Sequence, residues 1–225
     1  MKIAFFHELH AGGARRSVNE FAKRLKKNNQ IDLYYIDDSE NKAEKQFFTN
    51  TSFYQFIPRK WLGNNWKAKF YKDTVELIRL YNIHKKIAND IDKQNYDLVF
   101  VEPSKFTQAP FILTLLRTKK VYYCQEPLRM VYEQELAIPK DLHFAKYTYE
   151  RINRYIRKRI DKYNIRHTDF LLSNSKHTKE NIKRIYNLEA IPTYMGVDTT
   201  IFRPVKKKKD MHIQCPSLGL PSMIE

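Results

Sequence analysis

Short apolar runs that stop at polar or proline residues recur along this chain, each followed by a stretch whose apolar residues return at helical spacing. The runs are KIAFFHE (2–8), IDLYYIDD (31–38), DLVFVEP (97–103), KVYYCQEP (120–127) and DFLLSNS (169–175), with AIPTYM as a last short one. Continuous rather than alternating apolar character marks strands covered on both faces, as in parallel sheets. Between them, Val18, Phe21, Ala22 and Leu25 outline one helix, and Leu77, Leu80, Tyr81, His84, Ile87, Ala88 and Ile91 one side of a long helix over 70–93. TQAPFILTLLRT offers a helix of about a dozen residues between the third and fourth runs. SKHTKENIKRIYNL reads as another, with Ser175 as its N-cap and Thr178, Ile182 and Ile185 at helical spacing. Five or more strands interleaved with helices predict an α/β fold: a Rossmann-like, doubly wound, mostly parallel sheet with helices on both faces. Residues 39–68 are rich in aromatics but hold no steady period, so no element is assigned to them.

In an open parallel sheet, ligands gather beyond the carboxyl ends of the strands. The residues that fall there are His7, Glu8, Gly12 and Gly13; then Glu102; then Gln125, Glu126 and Arg129; then Ser173, Asn174 and Ser175. Gly12, Gly13 and Ala14 have the features of an anion cradle, because glycines let a ligand approach the backbone and the following helix points free amides at it. The same pair also serves as a plain turn, and neither dinucleotide nor P-loop spacing is present. In CQEPLR, Arg129 either contacts substrate or pairs with Glu126 on the surface. The cysteines, Cys124 and Cys215, lie far apart and the seven histidines are scattered. No metal or disulfide framework is expected, and a reducing, cytoplasmic setting is the default.

Lys and Arg number 41 against 25 Asp and Glu, a formal charge of +16, which predicts acidic partners. The helix expected over 144–167 carries much of the excess: Lys146, Arg151, Arg154, Arg157, Lys158, Arg159, Lys162 and Arg166. Its stripe of Ile152, Ile156, Ile160 and Tyr163 is expected to face the core. That leaves the cations as a solvated face, as a contact with an anionic membrane or, least expected, as a nucleic-acid surface. No run reaches the roughly 18 apolar residues of a membrane span, so a peripheral position on the inner membrane face is the closest membrane association predicted.

The segment SNSKHTKENIKRIYNLEAIPTYMGVDTTIFRP (173–204) resembles the signature of family four of the retaining glycosyltransferases, the family of sucrose synthase and bacterial mannosyltransferases. The matching positions are Asn174, Ser175, Thr178, Tyr186, Pro192, Gly196, Val197, Asp198 and Phe202. GGARRSVNEFAKRL resembles that family's glycine turn and first helix, and YYCQEPLRMVYE its Tyr-Cys-His-x-Pro-x-Arg strand end, with Gln125 in place of the histidine. Gln cannot carry a proton as an imidazole can.

The resemblance implies the N-terminal half of a GT-B fold over residues 1–204, which binds mainly the acceptor. Residues 205–225 are expected to be a basic linker and an unpatterned tail, with the C-terminal donor domain absent. It also implies sugar transfer from a nucleotide-sugar to a glycan or lipid-linked acceptor hydroxyl, without cofactor or metal. A separate donor-domain chain would complete the enzyme, and the chain alone is expected to be inactive. His7, Gln125, Glu126, Arg129, Asn174 and Ser175 line the acceptor side, and no catalytic residue is assigned. The other reading is a stand-alone module that docks on an anionic membrane or on a partner glycosyltransferase.

Overall fold

From Ala4 to Phe6 the first strand is buried on both sides, and its neighbouring side chains part onto two separate cores. Phe5 joins Leu33, Val18 and Ala22 on one face, while Phe6 joins Ile36, Leu80, Ile87 and Ile112 on the other. A strand buried on both faces has no polar alternation to keep, which is why its sequence is a continuous apolar run. The computed structural model describes residues 1–38, 40, 46–59, 66–133, 136–139, 142–196 and 199. The strands are β1 (Lys2–His7), β2 (Gln30–Asp37), β3 (Asn50–Gln55), β4 (Leu98–Val101), β5 (Lys120–Cys124), β6 (Phe170–Ser173) and β7 (Ile191–Pro192). They form one sheet in the order β3-β2-β1-β4-β5-β6-β7, every pair parallel. This is the doubly wound nucleotide-binding order, extended by a seventh strand.

The helices are α1 (Gly13–Leu25), α2 (Trp66–Asp92), α3 (Ile112–Leu115), α4 (Arg129–Tyr132), α5 (Phe144–Ile165) and α6 (Lys176–Tyr186). Helix α1 covers one face of the sheet through Val18 and Ala22; α2, α3, α5 and α6 contribute to the opposite core. Residues Met1–Tyr194 make one compact unit, and a second runs over Met195–Glu225. Of that second unit only residues 195, 196 and 199 are described, so the expected linker and tail, and with them Val197, Asp198 and Phe202, lie outside the described residues. No helix among the described residues is long and apolar enough to cross a membrane.

Three expectations are corrected. The aromatic-rich segment contains a strand, β3, which is only half-buried at the sheet edge. Asp32 pins its start, accepting from the backbone N–H of Asn50 at 3.1 Å and from Asn50 Nδ2 at 2.9 Å. The dozen-residue helix between β4 and β5 shrinks to the four residues of α3. Gln108 sits at φ 63 and Pro110 disfavours a helical Ala109, so the chain stays a loop until Phe111.

The third correction concerns α5. Its isoleucine stripe does not face the core: Ile152 is 55% exposed, Ile156 48% and Tyr163 61%. The buried residues are instead Asn153, Asp161, Asn164 and Ile165. Asp73 of α2 accepts from Tyr149 (2.9 Å), Asn153 (2.8 Å) and Arg157 (2.7 Å). Asp161 accepts from Tyr186 at 2.6 Å and from the Ala109 amide at 3.2 Å. Buried polar groups are tolerated where their hydrogen bonds are made, and α5 packs through such bonds.

Candidate functional site at the switch point of the sheet

Strands β1 and β4 lie side by side, with Phe6 opposite Val101, and from this seam the strand order runs outward in both directions. The carboxyl ends at such a seam open a crevice, the usual ligand position in a doubly wound sheet. His7 and Glu8 leave β1 there, and Glu102 leaves β4, its N–H donating to Phe6 O at 3.0 Å.

Glu102 is fully buried. Gln125, at the end of β5, donates from Nε2 to Glu102 Oε2 at 3.0 Å, while Oε1 has no hydrogen-bond partner among the described residues. Burial raises its pKa from 4.5 to about 8, against a smaller opposing effect of the Gln125 bond, so the side chain is largely a neutral acid at pH 7. A neutral carboxyl can both donate and accept a hydrogen bond, and with no exposed surface Glu102 serves to position the Gln125 amide above it. The sequence marks Glu102 by its place at a strand end, before Pro103. Its pairing with Gln125, some twenty residues on, requires the fold.

Glu8 has a different task. Ser104 Oγ donates to its Oε2 at 2.8 Å, and His84 Nε2 lies 2.8 Å from its Oε1 in a contact bent away from a linear hydrogen bond. His84 Nδ1 accepts from the Ile112 amide at 3.1 Å. Glu8 thereby ties the segment after β1 to the segment after β4 and to α2, all in the interior. His7 is also buried, and its Nδ1 accepts from the Leu9 N–H at 3.3 Å.

The glycine turn opens α1. Gly12 is the N-cap with extended backbone, and α1 has no side-chain cap hydrogen bond. A Cβ built on Gly13 meets nothing within 4 Å, and one on Gly12 meets only His10 O at 4.0 Å. Packing therefore does not demand these glycines; the space above them is open. Gly12, Gly13 and Ala14 stand at a helix start whose first amides have no partner within the helix. One turn on, Arg15 is buried, with Nη1 3.1 Å from Asp37 Oδ2 at the end of β2. The strand-end rule does not reach Arg15. Its signal is a cation directly after the glycine turn, in the half of the helix where cations are least favoured.

The remaining candidates divide. Ser175 caps α6 as expected, accepting from the Thr178 N–H at 3.1 Å. Thr178 Oγ1 lies 2.6 Å from Asn174 Oδ1 and 3.3 Å from Gln125 O, so the start of α6 is stitched to the end of β5. Glu126 is exposed; its carbonyl accepts from Gln108 Nε2 at 2.8 Å. Arg129 does form an ion pair, but with Glu133 at 2.9 Å rather than with Glu126, and both side chains are largely exposed. Such a pair contributes about 0–1 kcal/mol. No group of metal-ligating side chains occurs among the described residues.

No family model and no curated protein matches the chain. Solved structures do. A UDP-glucosyltransferase from Polygonum tinctorium, capable of glucosylating indoxyl, superposes with a TM-score of 0.51 at 11% identity, covering 92% of this chain and 55% of that one. UGT2 of Phytolacca americana, complexed with UDP-2fluoro-glucose and pterostilbene, gives 0.51 at 10% identity, covering 88% and 55%. This chain thus spans about half the length of the chains it matches. At such identity the likeness is one of fold: the molecule shares the Rossmann-like α/β architecture of GT-B glycosyltransferases.

Proposed function

We propose that this chain is the acceptor-binding side of a glycosyltransferase that moves a sugar from a nucleotide-sugar to an acceptor hydroxyl, with retention at the anomeric carbon. One observation carries the reading: three segments singled out by the sequence are joined by hydrogen bonds across the carboxyl ends of β4, β5 and β6. Asn174 to Thr178 is bonded to the backbone of Gln125, and the Gln125 side chain is bonded to Glu102. The fold shared with a UDP-glucosyltransferase and with UGT2 complexed with UDP-2fluoro-glucose supports it.

In this reading the amides of Gly12 to Ala14 border the diphosphate, where fixed positive potential stabilises the departing charge. Gln125, seated on the buried Glu102, orients acceptor hydroxyls, and His7 lies buried beneath the same strand ends. No residue is assigned as nucleophile or base. The diphosphate and sugar are held mainly by a donor-side domain, in the same polypeptide or another.

The test is a transfer assay with radiolabelled UDP-glucose and a panel of glycan and lipid-linked acceptors, run beside a glycan-array binding measurement on the same protein. The expected outcome is retention of an acceptor glycan, lost in Gln125→Ala, with no transfer by this chain alone. Turnover by the chain alone would overturn the need for a donor-side domain. Acceptor retention indifferent to Gln125→Ala would remove the crevice from the account.

A further inference from the structure

Helix α5 exposes side chains that a water-soluble surface ordinarily hides. Phe144 is 78% exposed and Tyr155 61%, and Ile152, Ile156 and Tyr163 lie open beside them. Their spacing puts all five on one arc of the helix, and Arg151, Arg159, Lys162 and Arg166 fall on that same arc. The helix has two carboxylates, and neither is on it: Asp161 is buried and Glu150 is half-buried on the inner side. The outer arc is therefore made of isoleucine, aromatics and cations.

The reason lies in the inner side. Asn153, Arg157, Asp161 and Asn164 anchor the helix with hydrogen bonds, and Ile165 joins the core, so the apolar residues of the outer arc are not needed to hold it to the fold. Beside the C-terminal half of α5 lies a groove of about 930 Å³ against α2 and α3. Tyr81, Phe111 and Tyr163 contribute aromatic rings to it, and Arg159, Lys162 and Arg166 contribute charge. No carboxylate is among its described lining residues.

We propose that the outer face of α5, with this groove, rests on a membrane surface carrying anionic phospholipid headgroups. Lys and Arg meet the phosphates, the groove admits a headgroup between cations and rings, and Ile152, Ile156 and Tyr155 enter the boundary between headgroups and acyl chains. A polyanion such as nucleic acid satisfies the cations but not the isoleucines, and a plain hydrophobic partner satisfies the isoleucines but not the unbroken positive charge. An anionic bilayer satisfies both. The assignment is independent of the sugar-transfer reading, because none of these residues belongs to the switch-point crevice.

The test is co-sedimentation of the full chain with phosphatidylcholine vesicles, with and without a fraction of phosphatidylglycerol. Binding is expected only with the anionic lipid. Because the chain carries +16, diffuse attraction is controlled by two charge-matched variants. Arg151→Glu/Arg159→Glu changes the α5 face, and Lys23→Glu/Lys27→Glu changes exposed lysines at the end of α1, on the other side of the sheet. The first is expected to weaken binding at least about tenfold and the second less than about threefold.

Ile152→Ser/Ile156→Ser is expected to weaken it by a similar tenfold, with an unchanged melting temperature since both side chains are exposed. Equal loss in the two charge variants would overturn the site, as would unchanged binding in the serine variant. A concentration-dependent dimer in sedimentation equilibrium, abolished by the serine variant, would overturn it in favour of a second copy of the chain.

Discussion

Glu102 is the residue in which the site's chemistry is most concentrated. Its folded pKa is raised to about 8, so between pH 4.5 and 8 the folded chain holds a proton that the unfolded chain has released. The sign follows from proton uptake: with the native state binding more protons, stability falls as pH rises through this window, and the full cost stands above pH 8. Glu102→Gln keeps an acceptor for Gln125 and cannot ionise. The variant is therefore expected to gain on the parent protein from pH 5 to pH 9, by a few kcal/mol at the alkaline end. Urea unfolding of both proteins at the two pH values measures this, and parallel pH dependence would contradict it. A smaller slope remains in the variant below about pH 6, because burial also lifts Asp161 from 3.8 to about 6.

At the scale of elements, α5 shows where amphipathic reading fails. Periodicity locates an apolar stripe but does not say which way it points, and here the inward side is polar and satisfied. Asp73 is the keystone of that side, accepting from three residues of α5. Removing it takes away the carboxylate partner of Arg157, whose side chain is 15% exposed and keeps the neutral acceptors Phe106 O and Asn153 Oδ1. Asp73→Ala is expected to cost about 3 kcal/mol, a value set by the loss of one partner from a mostly buried pair. Hydrogen exchange should quicken in α5 more than in β1 or β4. Uniform quickening across the sheet would mean that Asp73 supports the whole fold rather than this helix.

The central strands are legible because burial on both faces leaves few polar interruptions, Asp32 of β2 being one. Edge strand β3 is not, because NTSFYQ is half-buried and mostly polar. The rule of strand ends picks out both His7 and Glu102. It does not separate Glu8, a brace to Ser104 and His84, from Glu102, whose Oε1 has no hydrogen-bond partner among the described residues, since that difference rests on contacts between residues far apart in the chain.

For the molecule as a whole, the strand order places the crevice at one end of the sheet, while the exposed apolar and basic arc of α5 runs along its outside. Sugar transfer and membrane contact would thus use different surfaces of one fold, and each can fail without the other. The central claim is that an acceptor glycan binds at the carboxyl ends of β4 and β5, beside the seam of β1 and β4. Amide chemical-shift mapping with the acceptor panel at millimolar concentration tests it most directly. The account predicts that an acceptor shifts the amides of residues that follow β1, β4 and β5. Shifts elsewhere, or none with any acceptor, would contradict it.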